Sequence, residues 1–364
     1  MLKKFLISVT PAMISELQNL QASMGAGFET LNTGETIPIS FDNDAEAIAA
    51  TKQGVAIYDR SHWGLFKISG ADRLRFLHNQ STNSIQNFKP GEGCDTVFVT
   101  STARTLDLAT ALITEDGILV LVSPNRRQQL MQWLDRYIFP MDQVELQDIT
   151  KDYGVFSLLG PDSSQVLNQF GIMDLEQKSY GSHQLVEIAG SNLRVAVGSG
   201  LDTCGYTLIL DRSIAASIWQ VLTQGGAVPL GERVWEHLRV LAGRPAPDRE
   251  LTEDYNPLEA GLWQTLSFDK GCYIGQETIT RLNTYKGVKQ KLWGIRLNAP
   301  VLAGTPILID NIKVGKLTSY TNGDGNHFGL GYIRTKAGGV SSKVKVGEVD
   351  GEVVDVPFLN HPPV

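Results

Sequence analysis

Lys270-Gly271-Cys272-Tyr273-Ile274-Gly275-Gln276-Glu277 brings an ammonium, a thiol, an amide and a carboxylate into one short run. Two glycines bracket the thiol, where the backbone can turn sharply or approach another segment without a Cβ in the way. Glu277-Thr278-Ile279-Thr280-Arg281-Leu282 follows and predicts a helix. A thiol at a helix N-terminus beside a cation can become a better nucleophile or metal ligand, which makes Cys272 a candidate for either role. Gln276 and Glu277 add an amide and a carboxylate at the same helix start. The same residues also describe a glycine-rich turn around a buried cysteine, since free cysteine is among the most buried residue types.

Other chemistry is sparse. Cys94, Cys204 and Cys272 are far apart, with no CxxC pair and no Cys/His spacing of a zinc or iron–sulfur site, so no resident metal is expected. An odd, sparse cysteine count fits a reducing compartment, and a cytoplasmic protein is expected. A net charge of −7 argues against nucleic-acid wrapping, which needs a basic face. No apolar run is long enough to span a bilayer. No G-x-G-x-x-G follows a first strand, which argues against a dinucleotide domain. At 364 residues the chain exceeds one core, and 36 glycines suggest many turns.

The positioning elements can be read in order. A first helix is expected from Thr10-Pro11 to about Leu20, then a turn-rich loop over 25–36, then a helix over 45–53 capped by Asp42-Asn43-Asp44. Ile57 to Gly64, holding His62 and Trp63, leads into a strand over 65–69 and a helix after Gly70-Ala71-Asp72. Strands are predicted over 96–100, 106–113 and 117–123, and a helix from Pro124 to about Tyr137. Strands over 144–149 and 153–159, a helix over 160–170, strands over 193–197 and 206–210 and a helix after Asp211 repeat that plan. A helix over 230–242 stops at Gly243-Arg244-Pro245. After Tyr285, short strands separated by Gly, Asn and Asp turns predict a small β-barrel.

The octapeptide resembles the K-G-C-[FYW]-x-G-Q-E signature of the YgfZ family, a folate-binding group related to the aminomethyltransferase (T protein) of the glycine cleavage system. Asp59-Arg60-Ser61-His62, Asn256-Pro257-Leu258-Glu259-Ala260-Gly261-Leu262 and Val314-Gly315-Lys316-Leu317 resemble the same superfamily. The resemblance implies an α+β, three-domain ring: a folate-binding α+β domain over 1–54 and 140–285, a ferredoxin-like α+β domain over 55–139 and a C-terminal barrel over 286–364. It implies tetrahydrofolate, or a related reduced folate, in the middle. It also implies support for assembly or repair of iron–sulfur clusters in enzymes, including those that modify transfer RNA, with iron–sulfur proteins as partners and no direct contact with membrane or nucleic acid. The alternative it leaves open is aminomethyl transfer to tetrahydrofolate.

By that resemblance Cys272 and Asp107 are the catalytic candidates. Lys270, Gly271, Tyr273, Gly275, Gln276, Glu277, His62, Trp63, Arg239 and Glu259 are the cofactor-binding candidates, with Trp63 and Trp263 offered as stacking surfaces. The T protein carries an aspartate pair where this chain has Asp107-Leu108, a pterin-reading glutamate near Asp202-Thr203, and an arginine where this chain has Trp235. Cys272 is expected to face the central cavity.

Overall fold

The computed structural model describes residues 15–323 and 325–361. The chain begins with α1 (Glu16–Ser23), a hairpin of β1 (Gly27–Thr30) and β2 (Thr36–Ser40), α2 (Asp44–Gln53) and β3 (Ala56–Asp59). It crosses to a second lobe of β4 (Gly64–Ser69), α3 (Arg73–Gln80), β5 (Gly93–Val99), β6 (Thr105–Ile113), β7 (Ile118–Val122), α4 (Arg127–Asp135) and β8 (Glu145–Asp148). It returns through β9 (Tyr153–Leu159), α5 (Ser163–Asn168), β10 (His183–Ile188), β11 (Ser191–Val197), β12 (Gly205–Asp211), α6 (Ala215–Gln224), β13 (Val228–Leu230) and α7 (Glu232–Ala242). A largely irregular stretch leads to α8 (Gln276–Thr284). The last lobe holds β14 (Gln290–Leu297), β15 (Pro306–Ile309), β16 (Ile312–Thr321), β17 (His327–Arg334), β18 (Lys343–Val346) and β19 (Val349–Val354).

The first lobe's sheet runs β10-β11-β12-β9-β3-β13, with only β13 parallel to its neighbour. The second runs β5-β6-β7-β4-β8, all antiparallel. The third lobe is a closed barrel, β14-β17-β16-β15-β18-β19. Strand pairing therefore shifts both crossings from the expected positions. β3 pairs with β9 in the first sheet, so the outward crossing falls after Asp59 and not at 54/55. β8 pairs with β4 in the second, so the return falls after Asp148 and not at 139/140.

β7 explains how the two sheets meet. Its five residues, Ile-Leu-Val-Leu-Val, are all buried, because period-two alternation sends them to two different cores. Ile118, Val120 and Val122 pack with Phe66, Leu77, Leu130 and Leu134 under the lobe's own helices. Leu119 and Leu121 point the other way, into a core shared with Ala196, Ile209 and Trp235 of the first lobe. The sheets thus stack face to face.

Three further expectations shift. The expected N-terminal helix falls partly on residues 10–14, outside the described residues; the described helix starts at Glu16, where Ser15 and Gln18 form a capping box. The loop expected over 25–36 contains β1. The helix expected from Leu230 begins at Glu232, because Val228 to Leu230 pair with β3. Its stop at Gly243 holds: the glycine sits at φ 86°, the left-handed cap that ends a helix without Cβ strain. Among the described residues no helix is long and apolar enough to cross a membrane.

Candidate active site

A cavity of about 660 Å³ opens between the first and second lobes. The second lobe contributes Asn83, Gly93, Cys94 and Asp95. The first contributes Tyr180, Gly198 and the run Leu201 to Tyr206. Gln264 and the tail residue Phe358 complete it. Its sharpest polar feature is Asp95 at the start of β5, whose Oδ1 accepts from the Thr110 hydroxyl at 2.6 Å and the Tyr180 hydroxyl at 2.8 Å. Burial raises the carboxyl pKa, and these two donors pull it back. Asp202 and Thr203, the positions matched to the pterin-reading glutamate, also line it, with the Thr203 carbonyl held by Ser199 Oγ at 2.6 Å.

Asp107 is not among the residues that line this cavity. It is fully buried on β6, and Ser123 holds both oxygens. Burial pushes its pKa up to about 6, against the two Ser123 bonds. Leu108 points into an apolar cluster with Val97, Val99, Leu251, Ala260 and Leu262.

The octapeptide divides into an inner and an outer half. Lys270 is buried, and its ammonium donates to the carbonyls of His78, Ser81 and Asn83, which uses all three protons and ties the end of α3 to the signature loop. Burial pushes its pKa down to about 7, while three carbonyl acceptors favour the charged form. Tyr273 packs with Ala103, Leu258, Leu266 and Ile279, its ring centroid 4.7 Å from the Lys270 Nζ. Gly275 caps α8 at φ 81°, and a Cβ there would come within 2.9 Å of the Thr100 carbonyl. Gln276 donates back to the Lys270 carbonyl at 3.3 Å. Gly271, Cys272 and Glu277 are exposed. Cys272 is thus open to solvent, yet it is not among the residues that line the cavity. The thiols that do are Cys94, pushed up to about 12 by burial, and Cys204.

Other candidates are engaged by the protein itself. Arg239 on α7 donates from Nε and Nη2 to Glu236, from Nη1 to Glu250 at 3.0 Å and from Nη2 to Ser319 at 2.8 Å. Glu250 also accepts from Thr318 and Ser319, so this network fastens the barrel to α7. Glu259 accepts from the Asn256 backbone N–H at 3.2 Å and closes its own loop. His62 is buried beside Glu232 with its Nε2 3.8 Å away, and burial pushes its pKa down to about 3, which keeps it neutral. It faces a separate cavity with Asp59, Ser61, Lys151 and Arg212. Trp63 lies under the guanidinium of Arg60 at 4.0 Å, and Trp263 packs near Phe268; neither lines the central cavity.

The GCVT N-terminal domain family model matches residues 17–270. A chloroplastic protein of Arabidopsis thaliana that carries the name transferase is 49% identical over 330 residues, spanning 89% of this chain and 76% of its own. This chain belongs to the GCVT family. Within the family, an aminomethyltransferase of Halothermothrix orenii is 24% identical over 90% of this chain and 94% of its own length. The glycine cleavage system aminomethyltransferase T of Bartonella henselae superposes with a TM-score of 0.84 over 95% of this chain and 98% of that one, at 17% identity. The GCVT-like α+β fold with its closed C-terminal barrel follows from that superposition.

Sequence reasoning missed Cys94, Asp95 and Tyr180 in this GCVT-family cavity. The one available signal was Gly93-Cys94-Asp95, a thiol and a carboxylate at the head of the apolar run Val97-Phe98-Val99. Tyr180 sits in a loop without periodicity, and only the fold brings it to Asp95.

Proposed function

We propose that this GCVT-family protein binds a reduced folate, in the tetrahydrofolate series, in the central cavity and supports assembly or repair of iron–sulfur clusters in other enzymes, including ones that modify transfer RNA. The observation that carries the folate part is the cavity. It has room for a drug-sized ligand, it sits between the first two lobes, and Asp202 and Thr203 line it together with Asp95 and Tyr180. The maintenance role rests on the signature at Lys270 to Glu277, whose exposed Cys272 is free to meet a partner. A cytoplasmic location belongs to the same proposal, the Arabidopsis relative being named chloroplastic.

Aminomethyl transfer is the second reading, favoured by the likeness to aminomethyltransferases along nine-tenths of the chain. Against it stands Asp107, whose two oxygens are occupied by Ser123, and Leu108, which offers no second acid–base group. Loss of one such group costs about 10²–10⁴ in rate.

The test has two parts. Tetrahydrofolate should raise the melting temperature of the purified protein, and mixing with the other glycine cleavage components should yield no methylenetetrahydrofolate above background. Cells lacking the gene should lose radical-type iron–sulfur enzyme activity. The wild-type gene should restore it and the Cys272→Ala gene should not. Full restoration by the alanine variant removes the thiol from the mechanism.

A further inference from the structure

Two arginines lie immediately behind the cavity wall without a carboxylate partner. Arg60 is 1% exposed. It donates to the Ser157 hydroxyl at 3.2 Å and the Ser199 carbonyl at 3.4 Å, and its Nε has no partner among the described residues. Arg244 is 6% exposed, and among the described residues nothing accepts from its guanidinium. What holds both cations is aromatic. Arg60 lies 4.0 Å from the Trp63 centroid and 5.2 Å from that of Trp235, and Arg244 lies 5.1 Å from Trp63 and 5.9 Å from Phe358.

The wall over them is thin. Phe358 touches the cavity on one side and Arg244 on the other. Gly200 sits directly on Arg60, where a Cβ would overlap the guanidinium, and its neighbours Gly198 and Leu201 line the cavity. The negative field that Arg244 feels comes from Asp95, a cavity residue, and then from Asp107. Burial first, and then the charge of Arg244, push Arg60 toward its neutral form; burial, and then the charge of Arg239, do the same to Arg244.

Burying two unpaired, mutually repelling cations is costly, and cation–π contacts recover only part of that cost. A guanidinium with free N–H donors is suited to the planar, two-pronged face of a carboxylate. We propose that the cavity takes a ligand bearing a carboxylate, and that Arg244, backed by Arg60, receives that group. The proposal rests on the folate reading only for the ligand's identity. The carboxylate comes either from the glutamate end of a folate or from a small amino acid bound beside the pteridine.

Trp63 and Trp235 flank the guanidinium of Arg60, so intrinsic fluorescence reports occupancy. Glutarate, titrated alone, should give a saturable change in the wild-type protein, and its dimethyl ester should give none. Arg244→Gln should weaken glutarate by about tenfold or more, with Arg244→Lys between the two. Equal responses of wild type and Arg244→Gln, equal responses to acid and ester, or no wild-type response overturn the proposal. If Arg244→Gln does not fold, as judged by circular dichroism, Arg244→Lys decides, and affinity equal to wild type overturns it.

A second arm assigns the source. If 5-formyltetrahydrofolate binds more tightly than 5-formyltetrahydropteroate and the preference vanishes in Arg244→Gln, the glutamate end supplies the group. If the two bind alike and glycine tightens the pteroate in wild type only, an amino acid supplies it. If glutarate binds and neither pteridine does, the folate reading fails while the carboxylate subsite stands.

Discussion

Ser123 holds both oxygens of Asp107: its backbone N–H donates to one at 2.8 Å and its hydroxyl to the other at 2.7 Å. The carboxylate matched to the T protein's aspartate pair is therefore a buried link between β6 and the end of β7. Its folded pKa of about 6 lies above the ordinary carboxylate value, because desolvation outweighs those two bonds.

The sign of its pH effect follows. Between the unfolded value near 4 and the folded value near 6, the folded state holds the proton more tightly, so stability falls as pH rises through that window. Asp107→Asn should remove that decline, a difference of about 2 kcal/mol between pH 4 and pH 7. Urea unfolding of both proteins across that range checks it. A parallel decline in the variant would locate the effect elsewhere.

His62 works in the opposite direction. Its folded pKa is depressed to about 3, so the unfolded chain takes up a proton below about pH 6.5 and the folded one does not. Native-state NMR should show the His62 ring neutral down to about pH 4. A midpoint near 6.5 would mean that the ring is not sealed.

Lys270 and Cys272 stand two residues apart and should behave differently. Lys270→Met strips three buried carbonyls of their donor and should cost about 2–4 kcal/mol. Cys272→Ser, at an exposed site, should stay within about 0.5 kcal/mol. Thermal melts of the two variants separate the signature's structural half from its chemical half.

Arg239 and Glu250 are 3% and 0% exposed in their side chains. Removing one partner strands the other, so Arg239→Met should cost about 3–5 kcal/mol. Limited proteolysis should then cut first between α7 and the barrel, because Glu250 also accepts from Thr318 and Ser319 of β16. Unchanged digestion would mean that the barrel docks by apolar contacts such as Val240 with Leu292 and Leu330.

The architecture was legible where pattern is set by burial. The barrel strands followed from short apolar runs between glycine turns, and β7 from five consecutive β-formers. β10 was not legible, because Leu185 and Glu187 on this edge strand are exposed and blur its alternation. The polar residues were legible as unusual and not as to role. Lys270, Arg239 and Glu259 read as ligand groups, but their partners come from segments distant in sequence or from loop closure. Whether a cation meets a ligand or three carbonyls is decided by the fold. Asp95 and Tyr180, 85 residues apart, become a pair only when β5 and the loop before β10 come together.

The most direct measurement is a crystal structure of the protein soaked with 5-formyltetrahydrofolate. The pteridine is expected in the cavity lined by Asp95, Tyr180 and Thr203, with a ligand carboxylate within bonding reach of Arg244. A fully occupied ligand bound elsewhere, or an empty cavity at saturating ligand, would contradict that assignment.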